Sequence, residues 1–397
     1  MTLLASHLMT MEQTMNHQAT LDMPVQPVEC GVDRTGFQIG WDHAHHGLVP
    51  PPGLLLAGTP VGQGWRAAKA VFGQRTLQAS RHTRSWLALR TLAWRQGISF
   101  ELQQVTPNYL AQIHNGRCPV LRTPLGGATG EPDAAVIDRI NPQAGYAAGN
   151  LAVISQRAAV AREGVDVLES LRLARSIQSH SDNNINGLDA AAWLRLATLR
   201  SFATPLPFGQ AARLPLTLLP PNRVRVLNAA QGLQTLLTLQ FSSTGWSART
   251  RAIAELLPQH TLRHDYNLFI GAVAPRVLEA GANNAGLRQV LEDVWLGERV
   301  QRRWRHLVLS LGEEGTATLL DRAVAHGLAG MGTLVNHADE QATEGWALAD
   351  GGRVPAPSHS TVVPRLSRVP PQMLQMGQAP RVPFVTTRPA GALHNRC

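Results

Sequence analysis

The sequence predicts a mainly α-helical protein that carries one small strand–strand–helix (ββα) module between two flexible ends. Three observations predict this fold class. Apolar residues recur at helical spacing along most of the chain, turn-forming residues break that spacing within one stretch, and both ends lack apolar periodicity. With 397 residues, 44% of them hydrophobic, the chain is long enough for two or three domains with sizeable cores.

Shifts in composition divide the chain into four parts. Residues 1–35 are predicted to be flexible, and residues 36–182 are predicted to form a helical region that contains the ββα module. A polar break at residues 183–186 precedes a second helical domain, predicted over residues 187–350. Residues 351–397 contain recurrent prolines and arginines but no acidic residue, which predicts a disordered basic tail.

Helical spacing is clearest at four places. Before the module it predicts a helix over His82–Gln96, whose apolar residues share one face and which Gly97 ends. After the module, a proline-rich stretch over Pro205–Pro221 interrupts the helical pattern. Beyond it the same spacing predicts three helices, over Leu227–Leu239, Thr250–Leu257 and Gly286–Leu311.

The last of these helices has a basic face. Over Leu291–Leu311, four basic residues follow one another at i, i+3, i+4 and i+7, namely Arg299, Arg302, Arg303 and His306. Trp304 belongs to the opposing apolar stripe. A basic face beside an exposed tryptophan suits a phosphate backbone, whereas a solvated helix face over core tryptophans explains the same spacing. Both interpretations stay open at this stage.

The ββα module is predicted within residues 106–165. Thr106 caps a short helix that Gly116 ends, and Ser155 caps a second helix that continues to Glu163. Asn-Pro and Gly-Asn pairs mark a turn-rich loop over Asn141–Gly149 between two strands. Three strands are predicted in all, over Cys118–Leu121, Ala134–Ile140 and Leu151–Ile154.

This stretch resembles the HNH (ββα-metal) endonuclease superfamily, over about residues 106–165 only. Its landmarks occur in the order and spacing of one branch of that family: Cys118-Pro119, Asp138-Arg139-Ile140, Gly145-Tyr146, Gly149-Asn150-Leu151 and Ser155-Gln156-Arg157-Ala158. The resemblance implies a ββα fold that holds a divalent metal, Mg or Mn, on the scissile phosphate. It also implies a histidine that activates water beside that metal.

The resemblance also implies which residues carry the chemistry, and two of them are missing. Asp138 falls on the metal-ligand position, and Asn150 falls on the asparagine that fixes the loop. Arg139 stands where active members carry the general-base histidine, and arginine cannot accept a proton at neutral pH. Ala159 stands where the helix supplies an Asn or His ligand, and alanine has no ligand atom. The chain therefore resembles a degenerate member, for which a metal matters only if the module is active.

Each candidate residue has a structural alternative. His114 is the nearest histidine that could replace the base, but a histidine at a helix C-terminus is also favoured by the helix dipole. Asp138 could pair with a neighbouring arginine to fix the turn, and Asn150 is expected to satisfy loop backbone. In a module that binds without cleaving, three arginines are the candidates for phosphate contact: Arg139, Arg157 and Arg162.

The charge of the chain favours nucleic acid, most simply DNA, as its partner. The net charge is +9, and nearly all of the positive charge is arginine because Lys69 is the one lysine. A codon bias toward arginine explains the same composition. The leading hypothesis is nucleic-acid binding by a degenerate HNH-like module with little or no nuclease activity. The alternatives are a helical protein-interaction protein with a purely structural finger, and an active metal-dependent endonuclease with a non-standard base.

Several other classes find no support in the sequence. The three cysteines form no CxxC pair, which argues against a cysteine zinc site. Neither a signal peptide nor an apolar run long enough for a membrane span is recognisable, so we expect a cytoplasmic protein without a membrane partner. Residues 41–46 form the densest cluster of possible metal ligands. On an extended segment only His43 and His45 would share a side, so a polar surface segment is the alternative to a metal site.

Overall fold

The computed structural model describes residues 33–179, 183–281, 286–328 and 342–354, and these residues are mainly helical, as predicted. The first half of the chain contains six helices: α1 (Arg34–His45), α2 (Pro60–Phe72), α3 (Arg81–Gln96), α4 (Pro107–Ile113), α5 (Gln156–Ala161) and α6 (Val167–Ser179). The second half adds α7 (Ala190–Phe202), α8 (Phe208–Ala211), α9 (Ala229–Leu239), α10 (Trp246–Glu255), α11 (His260–Gly281), α12 (Leu287–Asp293) and α13 (Glu298–Ala325). These are the helices of the described residues.

Both predicted flexible ends lie largely outside the described residues, namely 1–32 and 355–397. Helix α1 begins at Arg34, so the last two residues of the predicted N-terminal segment are helical. Residues 351–354, which the sequence assigned to the disordered tail, belong to the folded part. The Ser99 amide donates to the Gly352 carbonyl (2.9 Å), and the Val354 amide donates to the Gly97 carbonyl (3.0 Å).

The two strands of the described residues form a small antiparallel sheet directly before α5. Strand β1 (Ala135–Arg139) pairs with β2 (Leu151–Ser155), and Asp138 lies opposite Ala152. The Ser155 hydroxyl accepts from the Ala158 amide at 3.3 Å and begins α5 as its N-cap, as the sequence predicted. The predicted order of two strands and a helix in this stretch is therefore present.

The predicted strand Cys118–Leu121 is wrong, because these residues form a turn. The Cys118 amide donates to the Thr123 carbonyl (2.8 Å), and the Arg122 amide donates to the Cys118 carbonyl (2.7 Å). Pro119 has no amide hydrogen for a sheet ladder, which favours a turn here. The preceding helix α4 is capped by the Thr106 hydroxyl, as predicted, but it ends at Ile113 rather than at Gly116.

The later helices follow the predicted spacing with shifted limits. Helix α9 begins two residues after Leu227, and α10 begins four residues before Thr250. The predicted continuous helix Gly286–Leu311 is wrong, because α12 ends at Asp293 and a 3₁₀ turn separates it from α13. Helix α13 itself has a break at Gly312, whose φ of +71° a side chain rarely permits.

The core surrounds the sheet on both faces. One apolar cluster joins Ile137 and Val153 of the sheet to Leu89 of α3 and Leu110 of α4. A larger cluster contains Ile154, on the other face, together with residues of helices α7, α9, α11 and α13. Every residue of β2 is buried. The larger core therefore continues across residues 183–186, where the sequence predicted a boundary between two domains.

No helix within the described ranges has the length and apolar character that a membrane crossing requires.

Candidate functional site

A cleft of about 980 Å³ opens beside the ββα module. Strand β1, helix α5 and the glycine-rich loop at residues 126–130 line it. Its charged and titratable side chains come from several elements: Arg81, His114, Asp138, Arg139, Tyr146, Arg162, Glu163, Asp166 and Arg200. The cleft thus brings together Asp138, Arg139 and Ala159, the three positions that the motif singled out, and adds Arg200 from α7.

Asp138 is paired with Arg162, which lies at the C-terminal end of α5. Strand alternation turns Asp138 away from the face that carries Ile137 and Arg139. The Arg162 Nε and Nη2 atoms each donate to a different oxygen of the Asp138 carboxylate. Both side chains are about 85% buried, since their exposed fractions are 16% and 15%. This is the structural alternative for Asp138, a carboxylate that ties the strand to the end of the helix.

Arg139 holds the loop between the two strands. Its Nη1 atom donates to the carbonyls of Pro142 (2.9 Å) and Ala144 (2.8 Å). Its guanidinium carbon lies 5.2 Å from the centroid of the Tyr146 ring, a cation–π distance. Burial raises the pKa of the Tyr146 hydroxyl, and Arg139 opposes that shift. The residue at the base position therefore has a structural role, and its charge lies within the cleft.

Asn150 is buried and lies outside the cleft lining. Its Oδ1 atom accepts from the Asn141 amide (2.8 Å), and its Nδ2 atom donates to the carbonyls of Asn141 (3.1 Å) and Gly145 (3.0 Å). Both functional ends of the amide are used by the loop backbone. The arrangement matches the loop-fixing role that the resemblance implies, and it leaves Asn150 no contact with a ligand in the cleft.

His114 follows α4 and lies in the same cleft as Asp138. Its ring meets the His82 ring edge-on, with 5.9 Å between centroids. Burial lowers the pKa of the His114 imidazole, and the nearby charges of Arg81 and His82 lower it further. The ring is therefore neutral at pH 7 and can accept a proton. Among the described residues, however, no hydrogen bond or ion pair joins His114 to Asp138.

Arg200 is a buried cleft residue that the sequence does not reveal. It comes from α7, is 6% exposed, and donates from Nη1 to the carbonyls of Arg162 (3.3 Å) and Val165. Burial lowers the pKa of its guanidinium to about 10, with a further contribution from the positive charge of Arg162. No spacing or motif marks Arg200, because it lies far along the chain from the module. Tertiary packing alone brings it to the cleft.

The residues at the motif's metal position do not fit a divalent metal. Both oxygens of Asp138 accept from Arg162, and Ala159, which lies in the same cleft, has no donor atom. Mg²⁺ and Mn²⁺ prefer sites with several oxygen ligands, often carboxylates. Throughout the ranges that the structure describes, no group of three or more His, Cys, Asp or Glu side chains could hold a metal. Cys118 is fully buried, and its sulfur accepts from the Ser155 amide (3.3 Å).

The other predicted contact residues lie on the surface. Arg157 is 43% exposed and faces Asp133 across 3.5 Å. On α13, Arg299 and Arg302 are exposed and Arg303 is half-buried. Trp304 is 1% exposed and packs in the core, so the hypothesis of a basic face beside an exposed tryptophan is wrong. The alternative, a solvated basic face over a core tryptophan, describes this helix.

The cluster at residues 41–46 lies on a helix, because α1 continues to His45, and not on an extended segment. Helical spacing separates the side chains that the extended geometry would have placed on one side. His43 is buried and bonded to the Ile39 carbonyl (2.8 Å), Asp42 pairs with Arg90, and His45 stacks on Phe72. The three side chains therefore make separate structural contacts and do not converge on one site.

Comparisons with protein-family models, with curated proteins and with solved structures return no match for this chain. An assignment of function therefore depends on the geometry of the cleft and on the motif in the sequence.

Proposed function

We propose that the ββα module binds the phosphate backbone of nucleic acid, DNA in the first instance, through arginines and without hydrolysing it. The observation that carries this proposal is the pairing of Asp138 with Arg162 inside a cleft that also holds Arg139 and Arg200. The resemblance implies a metal cation on this carboxylate, whereas here a guanidinium takes both oxygens. Arginine is also the side chain best suited to phosphate, because its planar fork donates two parallel hydrogen bonds.

The arginine content of the surface supports the same proposal. The chain carries a net charge of +9, and exposed arginines such as Arg81 and Arg157 lie at the cleft or beside it. Contacts of this kind fix a protein on a nucleic acid without distinguishing bases. We therefore expect binding that depends weakly on sequence and steeply on salt.

The absence of hydrolysis follows from the side chains at two positions. Arg139 cannot take a proton from water at neutral pH, and Ala159 offers no atom to a metal. The loss of general-base catalysis alone costs a factor of about 10²–10⁴ in rate. Without a base and without a metal, cleavage is expected to stay near background.

One observation favours the rival hypothesis of a helical protein-interaction protein. All of β2 is buried, and the core of the module is continuous with that of the later helices. A module that serves only to complete this core needs no ligand. The two hypotheses differ in whether the chain binds DNA at low salt.

The first experiment measures binding of the full chain to a labelled DNA duplex by fluorescence anisotropy in the presence of a chelator. Affinity should fall by orders of magnitude between about 50 and 200 mM salt, with little difference between unrelated sequences. The variant Arg157→Gln should reduce the slope of log affinity against log salt by about 1. The control variant Arg172→Gln changes an exposed arginine of α6 that pairs with Glu169, and it should leave the slope unchanged.

Absence of binding at low salt, or binding that salt does not weaken, would favour the protein-interaction hypothesis instead.

The second experiment tests the missing hydrolysis. Purified protein is incubated with supercoiled plasmid and Mg²⁺ or Mn²⁺, with and without a chelator. Nicking should stay at background in the wild type and in Asp138→Ala alike. Metal-dependent nicking that Asp138→Ala abolishes would establish the active-endonuclease alternative and would make His114 the first candidate for the base. A triple variant, Arg139→His with Ala159→Asn and Arg162→Ala, asks whether the scaffold regains cleavage when Asp138 is released.

A further inference from the structure

The inner end of the cleft carries excess positive charge. Four charged residues belong to the lining of both the cleft and a small neighbouring void: Asp138, Arg139, Arg162 and Arg200. Because Arg139 lies on the opposite face of β1 and bonds to loop carbonyls there, the groups next to one another are the guanidinium groups of Arg162 and Arg200 and the carboxylate of Asp138, whose net charge is +1. The remaining acidic residues of the cleft, Glu163 and Asp166, are exposed to solvent.

These arginines keep donors that the protein does not use. Arg162 donates from Nε and Nη2 to Asp138, which leaves Nη1. Arg200 donates only from Nη1, and both acceptors are backbone carbonyls, which leaves Nε and Nη2. In the hydrogen bonds of the described part of the chain, these three nitrogens have no protein acceptor. Arginine carries five N–H donors, so a buried guanidinium that donates from only one or two of its nitrogens can also donate to a ligand.

Arg200 is also a buried cation that no carboxylate of the described ranges contacts directly. It is more than nine-tenths buried, and the charged group next to it with the largest effect is another arginine, Arg162. Burial of a charge that is only partly compensated is costly: burial and the charge of Arg162 lower the pKa of this guanidinium, although Asp138 and Asp166 oppose the shift. An anion between Arg162 and Arg200 would supply the missing negative charge.

We propose that the inner end of this cleft is a pocket for a single phosphate group, held by Arg200 and Arg162. A phosphate group is an anion with three acceptor oxygens, which match the net positive charge and the three unused nitrogens of these two arginines. One source of this phosphate is the end of a nucleic acid strand, and for that source the inference rests on the proposed function. Free inorganic phosphate is the other source.

The first arm of the test uses inorganic phosphate and the full chain. The midpoint of thermal unfolding is measured over a phosphate series at constant ionic strength, with chloride as the balancing anion. A ligand that binds only the folded state raises the midpoint progressively with its concentration. We expect this rise in the wild type. A midpoint that responds equally to phosphate and chloride would overturn the pocket.

Matched variants assign the effect to Arg200. Arg195→Gln is the control, because Arg195 lies on the same helix, is also buried, and bonds to the Val120 carbonyl away from the cleft. Arg200→Gln should bind phosphate at least about tenfold more weakly, as expected for loss of a charge-assisted hydrogen bond, whereas Arg195→Gln should bind like the wild type. Arg200→Lys keeps the charge without the fork and should bind at an intermediate level. Equal phosphate binding by the two glutamine variants would overturn the assignment.

The second arm distinguishes the two sources of phosphate. Binding of one labelled oligonucleotide is compared with and without a 5′-phosphate, in the wild type and in Arg200→Lys. Preference for the phosphorylated end that Arg200→Lys weakens supports a pocket for nucleic acid ends. No such preference, with the phosphate stabilisation intact, would overturn the nucleic-acid source and leave free phosphate as the occupant. Duplex binding without any phosphate stabilisation would remove the pocket and leave the proposed function standing.

Discussion

Arginines lie on the cleft and on helix α13 in two different physical states. In the cleft, Arg162 and Arg200 are largely buried, and their guanidinium groups are held by a carboxylate and by backbone carbonyls. On α13, Arg299 and Arg302 are exposed, while the opposite face of the helix buries Trp304. The same residue type is thus largely buried in the cleft and exposed to solvent on α13.

This contrast shows that residue spacing in the sequence reveals the exposed arginines of α13 but not the buried arginines of the cleft. The basic face of α13 is visible as a period in the sequence, because residues three and four apart share a helix face. The cleft arginines come from α5 and α7, and no period connects them. Charge that is exposed on one helix costs little to the folded state, whereas charge that packing buries costs more.

The largest expected effect tests whether α13 is a core helix. Trp304 is buried, contacts Phe269 and Trp295, and donates from Nε1 to the Ala212 carbonyl at 2.9 Å. Trp304→Ala should lower the free energy of unfolding by about 3–5 kcal/mol, because it leaves a cavity and an unpaired carbonyl. Chemical denaturation measures this loss. A loss of unfolding free energy below about 1 kcal/mol would show that Trp304 is not a core residue and that α13 does not pack in the core.

The next effect concerns the pair that ties β1 to α5. Asp138→Ala should destabilise the protein by about 2–3 kcal/mol, somewhat less than for a fully buried pair, since it leaves the largely buried Arg162 without its carboxylate partner. Asp133→Ala is the control, because its partner Arg157 is exposed, and it should cost below about 1 kcal/mol. Equal losses in the two variants would show that burial does not distinguish the cleft pair from a surface pair.

A third effect sharpens the contrast between the two states of arginine. Removal of the Asp138 carboxylate frees two more donors of Arg162 and raises the net charge of the group formed by Asp138, Arg162 and Arg200 from +1 to +2. Asp138→Ala should therefore bind inorganic phosphate about tenfold more tightly than the wild type, despite its lower stability. Isothermal titration calorimetry below the unfolding temperature measures the affinity. Weaker binding in this variant would place the anion elsewhere.

The smallest effect is expected on the exposed face of α13. Arg302→Gln should change the free energy of unfolding by no more than about 0.5 kcal/mol, because the side chain is solvated. The slope of log DNA affinity against log salt should change by well under 1, since this face lies outside the cleft. A reduction of about 1 in that slope would show that α13 contacts phosphates as well, and the two regions would then share one interface.

Much of the local structure was predictable from single residues. The caps at Thr106 and Ser155, the C-terminal stop at Gly97 and the two strands around the Asn-Pro loop follow from backbone chemistry that acts over a few positions. Errors arose where a second preference competed. The sequence predicts a strand at Cys118–Leu121, where Pro119 favours the turn that is present, and an extended segment at residues 41–46, most of which belong to α1.

The sequence by itself determined the helical class, the ββα order, and the fact that Arg139 offers no proton acceptor and Ala159 no ligand atom. These features depend on short-range sterics, on hydrogen bonding within a few residues, and on which atoms a side chain possesses. Tertiary structure alone decided that Asp138 is held by Arg162 and that Arg200 joins them. The reason is physical: burial and the electrostatic environment of a charge are set by residues distant in the sequence, which only packing brings together.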